Sequence, residues 1–166
     1  MVMGRRSGPN GLPPDLVDLL ILRSGCPVLL APAAGHHSVT GTVLVCWNES
    51  VQSAHAVSAA LPLLTKAERV VVIGVHENNG STADALKEGL HETGRLLSRH
   101  AIEAETQFVP AEGRLAPDVI ASIATARRAS LLVMGAYGRS RMREVVFGGC
   151  TRHFVSDESF AVLLAH

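Results

Sequence analysis

Aromatic side chains are scarce in this chain: one Trp, one Tyr and four Phe among 166 residues, so the core must be built from aliphatic side chains. Charge is sparse as well, at 18% of residues, and sums to zero, which leaves no overall field to recruit nucleic acid or an anionic membrane. No apolar run approaches the ~20 residues of a membrane span, and the opening MVMGRRSGPNG lacks the apolar stretch of a secretory leader. The three cysteines, Cys26, Cys46 and Cys150, are odd in number and lack metal-ligand spacing, as expected of free thiols in a reducing, cytoplasmic setting. The eight histidines are scattered, with His36 and His37 in a linker, so no metal site is expected. The chain has no Gly-x-Ser-x-Gly elbow and no Walker lysine. No catalytic residue is assigned; at most slow ATP hydrolysis is expected.

What the chain does have in abundance is aliphatic residues and glycine: 47% of residues are hydrophobic, enough to bury one good core at this length. The most informative stretch is LLVMGAYGRSRMREVVFGGCT, residues 131–151. An apolar run ending at Gly135 reads as a buried parallel strand, and glycine there lets backbone approach a bound group without a Cβ in the way. Gly138 follows, then Arg139, Arg141 and Arg143, then the pair Gly148-Gly149 opening a helical stretch. Free N–H groups and the positive dipole end at that helix start suit an anion, so the segment reads as a phosphate or nucleotide contact. The alternative is that these glycines only make turns. Cys150 enters the same helix, a place where a thiol pKa falls; a packed small side chain is the plainer role.

From Thr40 onward, strand and helix alternate. GTVLVCW (41–47) is a β-branched strand ending in the turn residues Asn48, Glu49 and Ser50, and a helix follows with Ala54, Val57, Leu61 and Leu64 on one stripe. RVVVIGVH (69–76) is a second buried strand, and Ser81 with Asp84 predicts the start of the next helix. AIEAETQFV (101–109) alternates, with Glu103, Glu105 and Gln107 on one polar face, which marks an edge strand. A helix from Pro117, the LLVM strand, a helix after Gly149 and the strand AVLLA (161–165) complete an α/β, doubly wound parallel sheet of five strands. The order 3-2-1-4-5 places the polar strand at an edge. It also brings Asn48 beside Gly135 at the point where the order reverses, which is where ligands of such sheets bind.

The segment before residue 35 repeats the end of the chain. Val2-Met3-Gly4 matches Val133-Met134-Gly135, and Val28-Leu29-Leu30-Ala31 matches Val162-Leu163-Leu164-Ala165, with one helical stretch between each pair. Residues 1–35 are therefore expected to be a strand-helix-strand remnant of a preceding domain plus linker, and residues 40–166 a complete domain. Gly4-Arg5-Arg6-Ser7-Gly8 breaks the two-residue glycine spacing, so the remnant is given no nucleotide site. Its apolar surfaces are expected to cover the last strand of the complete domain or of a partner chain.

Gly135-x2-Gly138-x9-Gly148 between a strand and a helix, with VLVCWNES as first strand, resembles the universal stress protein (UspA) family over residues 41–166. It is most similar to tandem two-domain members, of which this would be the second half. The resemblance implies the 3-2-1-4-5 sheet, a homodimer through the fifth strand, no nucleic-acid or membrane partner, and in one branch of the family binding of ATP or AMP with Mg2+. It places Cys46 and Trp47 beside the base, Val75 at the adenine edge, and Met134 and Gly135 along the ribose. Arg139 and Arg141 would close over phosphates, with Gly138, Gly148, Gly149, Cys150 and Thr151 at the phosphate loop and helix start. The nucleoside-gripping Asp of binding members is Asn48 here, and the phosphate-holding Ser or Thr is Gly149. Losing one charge-assisted contact costs about 1.5–3 kcal/mol, so the binding expected is weak and regulatory. The other reading is a dimeric interaction module of the same fold, binding no nucleotide, with Trp47 filling the crevice.

Overall fold

The computed structural model describes residues 1–4, 14–32, 38–77, 82–137 and 149–166. The strands are β1 (Val2–Gly4), β2 (Val28–Ala31), β3 (Thr42–Cys46), β4 (Arg69–His76), β5 (Ala104–Pro110), β6 (Ala129–Gly135) and β7 (Val162–Ala165). The helices are α1 (Pro14–Arg23), α2 (Val51–Leu64), α3 (Ala83–Arg99), α4 (Ala116–Ala126) and α5 (Gly149–Ser156). Among the described residues the strands form one sheet in the order β1-β2-β7-β6-β3-β4-β5. The last five of these run in the expected 3-2-1-4-5 order, read from the far edge. The sheet has seven strands rather than five because β1 and β2 extend it past β7, and it is mixed because β2 and β7 are antiparallel.

Strand alternation sends successive side chains to opposite faces. On one face Leu44, Val71, Ile73, Leu132, Met134, Val162 and Leu164 meet α1, α4 and α5 around the fully buried Phe154. On the other Val43, Val45, Val70, Val72, Leu131 and Val133 meet α2 and α3. The two apolar layers lie on either side of β3 and β6, which explains why those strands read as unbroken aliphatic runs. The strand β5 is the edge that its alternation predicts. Arg127 makes a two-pronged contact with Glu105 at 2.7 and 2.6 Å, and Arg69 joins it at 3.1 Å. That hydrogen bond from Arg127 is the main cause that holds the Glu105 carboxyl below its ordinary pKa.

Two helix starts follow side-chain caps. Ser50 Oγ accepts from Ser53 N–H at 3.1 Å to begin α2, and Thr82 Oγ1 accepts from Ala85 N–H at 3.3 Å to begin α3. The cap of α3 is thus Thr82; Ser81 lies outside the described residues.

The repeat seen in the sequence is reproduced in register and in hydrogen bonds. Val2 is opposite Leu29 as Val133 is opposite Leu163, and Gly4 is opposite Ala31 as Gly135 is opposite Ala165. The Met1 amine donates to the Pro27 carbonyl at 2.8 Å, where Leu132 N–H donates to Ala161 at 2.9 Å. Across the antiparallel seam Val28 faces Leu164, Leu29 faces Leu163 and Leu30 faces Val162, so a local two-fold through the Leu29–Leu163 pair relates the two units. This arrangement corrects the expected route to a homodimer. The last strand, β7, is not an edge, since β6 takes one side and β2 of the same chain takes the other.

Candidate functional site

The strand order reverses at β3, which lies between β4 and β6. Cys46, the last residue of β3, pairs with Ile73 on one side and Met134 on the other, so β3 ends level with β6 while β4 runs three residues further, to His76. Cys46, Val75 and Met134 all pack on the α4/α5 face, together with Cys150 from the first turn of α5. Sequence-separated residues from three strands and a helix start thus meet in one cluster, the candidate crevice, near the carboxyl ends of the strands where open α/β sheets hold ligands. Gly149 stands exposed at the mouth of α5, and a Cβ placed on it would meet nothing within 4 Å. Gly138, Arg139, Arg141 and Gly148 lie outside the described residues.

Trp47 leaves this crevice. It packs on the α2/α3 face, and its Nε1 lies 2.5 Å from where a Cβ of Gly89 would stand, so α3 has glycine at that point to admit the indole. The Trp47 N–H is buried with no acceptor among the described residues. Neither of the places expected for Trp47, beside a base or filling the crevice, is where the ring sits.

Asn48 is exposed beside the crevice, but its acceptor oxygen is already used. Oδ1 accepts from Ser50 N–H at 3.3 Å and from Ser50 Oγ at 2.6 Å, an Asx turn that sets the Ser50 cap of α2. What remains at this side chain is its amide group, a donor only. Gly135 is also committed within the protein. A Cβ there would lie 2.5 Å from Ser53 N and 2.6 Å from the Gln52 carbonyl carbon, so its bareness lets β6 approach the first turn of α2. Thr151 is 3% exposed, and its hydroxyl receives Tyr137 N–H at 3.4 Å. It ties the end of β6 to α5 and does not face the mouth.

Three residues with no sequence motif also shape the site. Glu77 accepts the Ala116 N–H at 2.9 Å, holding the start of α4 at the crevice, and its charge reaches Cys150. Alternation from Val75 places Glu77 on the crevice face, a signal present in the sequence. Tyr137, at φ +59°, donates its hydroxyl to Asp18 of α1, so the N-terminal unit contacts the residue immediately before the glycine loop. Burial, followed by this hydrogen bond, holds the Tyr137 phenol well above its usual pKa.

The thiols respond to burial more than to the helix start. Burial, with Cys150 adding to it, holds Cys46 far above the ordinary thiol value. Cys150 is pushed up to about 11 by burial and then by the Glu77 charge, which reverses the lowering that its place in the helix suggests. At pH 8, iodoacetamide is therefore expected to add one group per native chain, on exposed Cys26. Intact-mass measurement checks this, and comparable labelling of Cys46 or Cys150 would show that the crevice thiols ionise.

Among the described residues no group of three or more His, Cys, Asp or Glu side chains is placed to hold a metal, and no helix is long and apolar enough to cross a membrane. A groove of about 410 Å³ between α3 and β5, lined by His91, Arg95, Arg99 and Thr106, lies toward the start of β5 and so at the other end of the sheet from the crevice.

The model of the universal stress protein family matches residues 40–166. No curated protein matches the sequence. A universal stress protein from Archaeoglobus fulgidus overlays 99% of this chain and 59% of its own length, at 16% identity and a TM-score of 0.64. A member of the family from Burkholderia pseudomallei overlays 78% of this chain and 98% of its own, at 22% identity and a TM-score of 0.58. A universal stress protein solved in complex with cAMP overlays 78% of this chain and 99% of its own, at 20% identity and a TM-score of 0.58.

Proposed function

The chain belongs to the universal stress protein family, and from that premise we propose that it is a cytoplasmic stress-response protein whose crevice binds an adenine nucleotide weakly, as a regulatory ligand. The observation that carries this reading is the packing of Cys46, Val75 and Met134, from three different strands, with Cys150 in the first turn of α5, next to the exposed Gly149. The helix start offers N–H groups to phosphate, while Cys46, Val75 and Met134 give the base an apolar wall. The family member of like fold solved with cAMP supports an adenine nucleotide as the ligand class. ATP or AMP is the ligand proposed, with Mg2+ neutralising a polyphosphate. Residues 1–35 are, in the same reading, the tail of a preceding domain of this family. The reading as a module that binds no nucleotide rested on Trp47 filling the crevice, and Trp47 packs against Gly89 instead.

The residues limit affinity in an identifiable way. Asn48 brings no charge, and its acceptor oxygen is held by Ser50, so the ribose hydroxyls find donors there but no carboxylate. Calorimetric titration of ligand-free protein with ATP, ADP and AMP in magnesium is expected to give a dissociation constant on the order of 100 μM for at least one of them. Gly149→Val, whose side chain enters open space and not a neighbour, is expected to weaken that binding about tenfold while leaving the unfolding transition in place. No heat up to millimolar nucleotide at two temperatures would overturn the reading.

A further inference from the structure

Among the described residues β5 pairs with β4 alone, so one side of it is open. Ala111 N–H donates to the His76 carbonyl at 3.0 Å, and the β4–β5 register runs without a shift from Ala104 to Pro110. Backbone groups alternate along a strand, so Glu105, Gln107 and Val109 bond to β4, while the N–H and C=O of Ala104, Thr106 and Phe108 face outward. None of these outward groups has a partner among the described residues. The Ala104 and Phe108 side chains pack on the α2/α3 layer, and alternation puts Thr106 on the same face. Glu105 takes the opposite face, held by Arg127 and Arg69, so that charged cluster leaves the α3 side of the edge clear.

Beside this edge α3 carries Lys87, His91, Arg95 and Arg99, spaced every fourth residue on a single ridge. The ridge follows β5 along its length. Lys87 Nζ lies 5.0 Å from the centre of the Phe108 ring, and His91, Arg95 and Arg99 line the groove of about 410 Å³ that also takes in Ala104 and Thr106. Gly94 brings the helix close, since a Cβ there would lie 3.1 Å from Thr106 Cγ2. Asp84 approaches Lys87 at 3.8 Å and Glu92 meets Arg95 at 2.9 Å, but both pairs are exposed and hold their cations weakly. Arg99 has no ion-pair partner among the described residues. Successive members of the ridge are about 6 Å apart along the helix axis. Alternate residues of an extended strand are about 6.6 Å apart, so a strand and this row keep step. We infer that the open edge of β5 is a docking site for an extended acidic segment of another protein, which adds as a strand beside Ala104, Thr106 and Phe108 and sets Asp or Glu at every second position against the α3 row. Charge complementarity selects this occupant. A second copy pairing through its own β5 would bring its α3 to the same face and set like charges together. A phosphate chain offers acceptors only and leaves the outward carbonyls unanswered. The inference is independent of nucleotide binding.

The test is a fluorescein-labelled peptide as long as β5, seven residues, alternating Glu and Val, titrated with the full chain and followed by anisotropy. It is expected to bind at least tenfold more tightly than two controls, a Lys–Val peptide and an isomer with its glutamates in one block. Arg95→Glu with Arg99→Glu reverses charge on an exposed surface, and Thr106→Pro removes one outward N–H without breaking the ladder to β4. Each variant is expected to keep the melting temperature of the native chain and to weaken peptide binding at least tenfold. The inference is overturned by no binding at millimolar peptide, by equal binding of either control, or by binding that survives either variant in folded form. Tighter binding of inorganic polyphosphate overturns it by assigning the row to phosphate, and a dimer of the chain that Thr106→Pro dissociates does so by assigning the edge to a second copy.

Discussion

Gly135→Ala is expected to destabilise the protein by roughly 3 kcal/mol, the upper end of what overpacking a core ordinarily costs. The new methyl would lie 2.5 Å from Ser53 N and 2.6 Å from the Gln52 carbonyl carbon. These are backbone atoms of the first turn of α2, so no side-chain rotamer relieves the clash. Relief requires β6 and α2 to separate, and β6 lies at the centre of the sheet with Leu131, Leu132 and Val133 fully buried. Ser53 also donates to the Ser50 cap, so displacing it loosens the Asn48–Ser50 turn at the crevice. Urea unfolding followed by circular dichroism measures the cost; a loss under about 1 kcal/mol would show that the β6–α2 contact yields easily and that Gly135 is not a packing glycine. Any loss of nucleotide affinity in this variant follows from the altered fold, which is why Gly149, with open space around it, is the better probe of the ligand site.

Much of this architecture was legible in the sequence because single residues carry topological information. The polar row Glu103, Glu105 and Gln107 marked an edge, and the edge selected the strand order. The repeat of Val28-Leu29-Leu30-Ala31 as Val162-Leu163-Leu164-Ala165 marked a symmetric seam. Inside the site the sequence carries less, and at two pairs of residues the reason is geometric. Cys46 ends β3 and Trp47 follows it, and the two side chains join opposite apolar layers, so they do not line one wall. Gly149 and Thr151, two apart on a helix, likewise face different directions, and a ligand at one does not meet the other. At Gly135 the reason is different. A glycine that admits a ligand and one that admits a neighbouring helix leave the same mark in a sequence, and only the position of α2 separates them. Asn48 shows the same limit, since whether its oxygen faces a ligand or Ser50 depends on the turn that follows β3.

Leu30→Ala is expected to cost about 3 kcal/mol, within the range for truncating a fully buried leucine, even though Leu30 lies before residues 40–166, which the family model matches. Leu30 is 0% exposed and faces Val162 across the antiparallel seam, in one apolar cluster with Val17, Ile21, Phe154 and Leu164. The cavity would open within the layer that also holds Leu132 and Met134, so the loss belongs to the whole sheet. Unfolding followed by circular dichroism and by Trp47 fluorescence is expected to give coincident, shifted transitions, because Trp47 reports the opposite face, against α3. Leu132→Ala, on the same layer within residues 40–166, should cost a similar amount and provides the comparison. Were β1-α1-β2 only loosely docked, Leu30→Ala would cost under about 1 kcal/mol while Leu132→Ala kept its full effect, and the two probes would part company. Cooperative loss instead ties the N-terminal unit to the crevice, since the same layer runs from Leu30 through Phe154 to Tyr137, whose hydroxyl meets Asp18 at the threshold of the glycine loop.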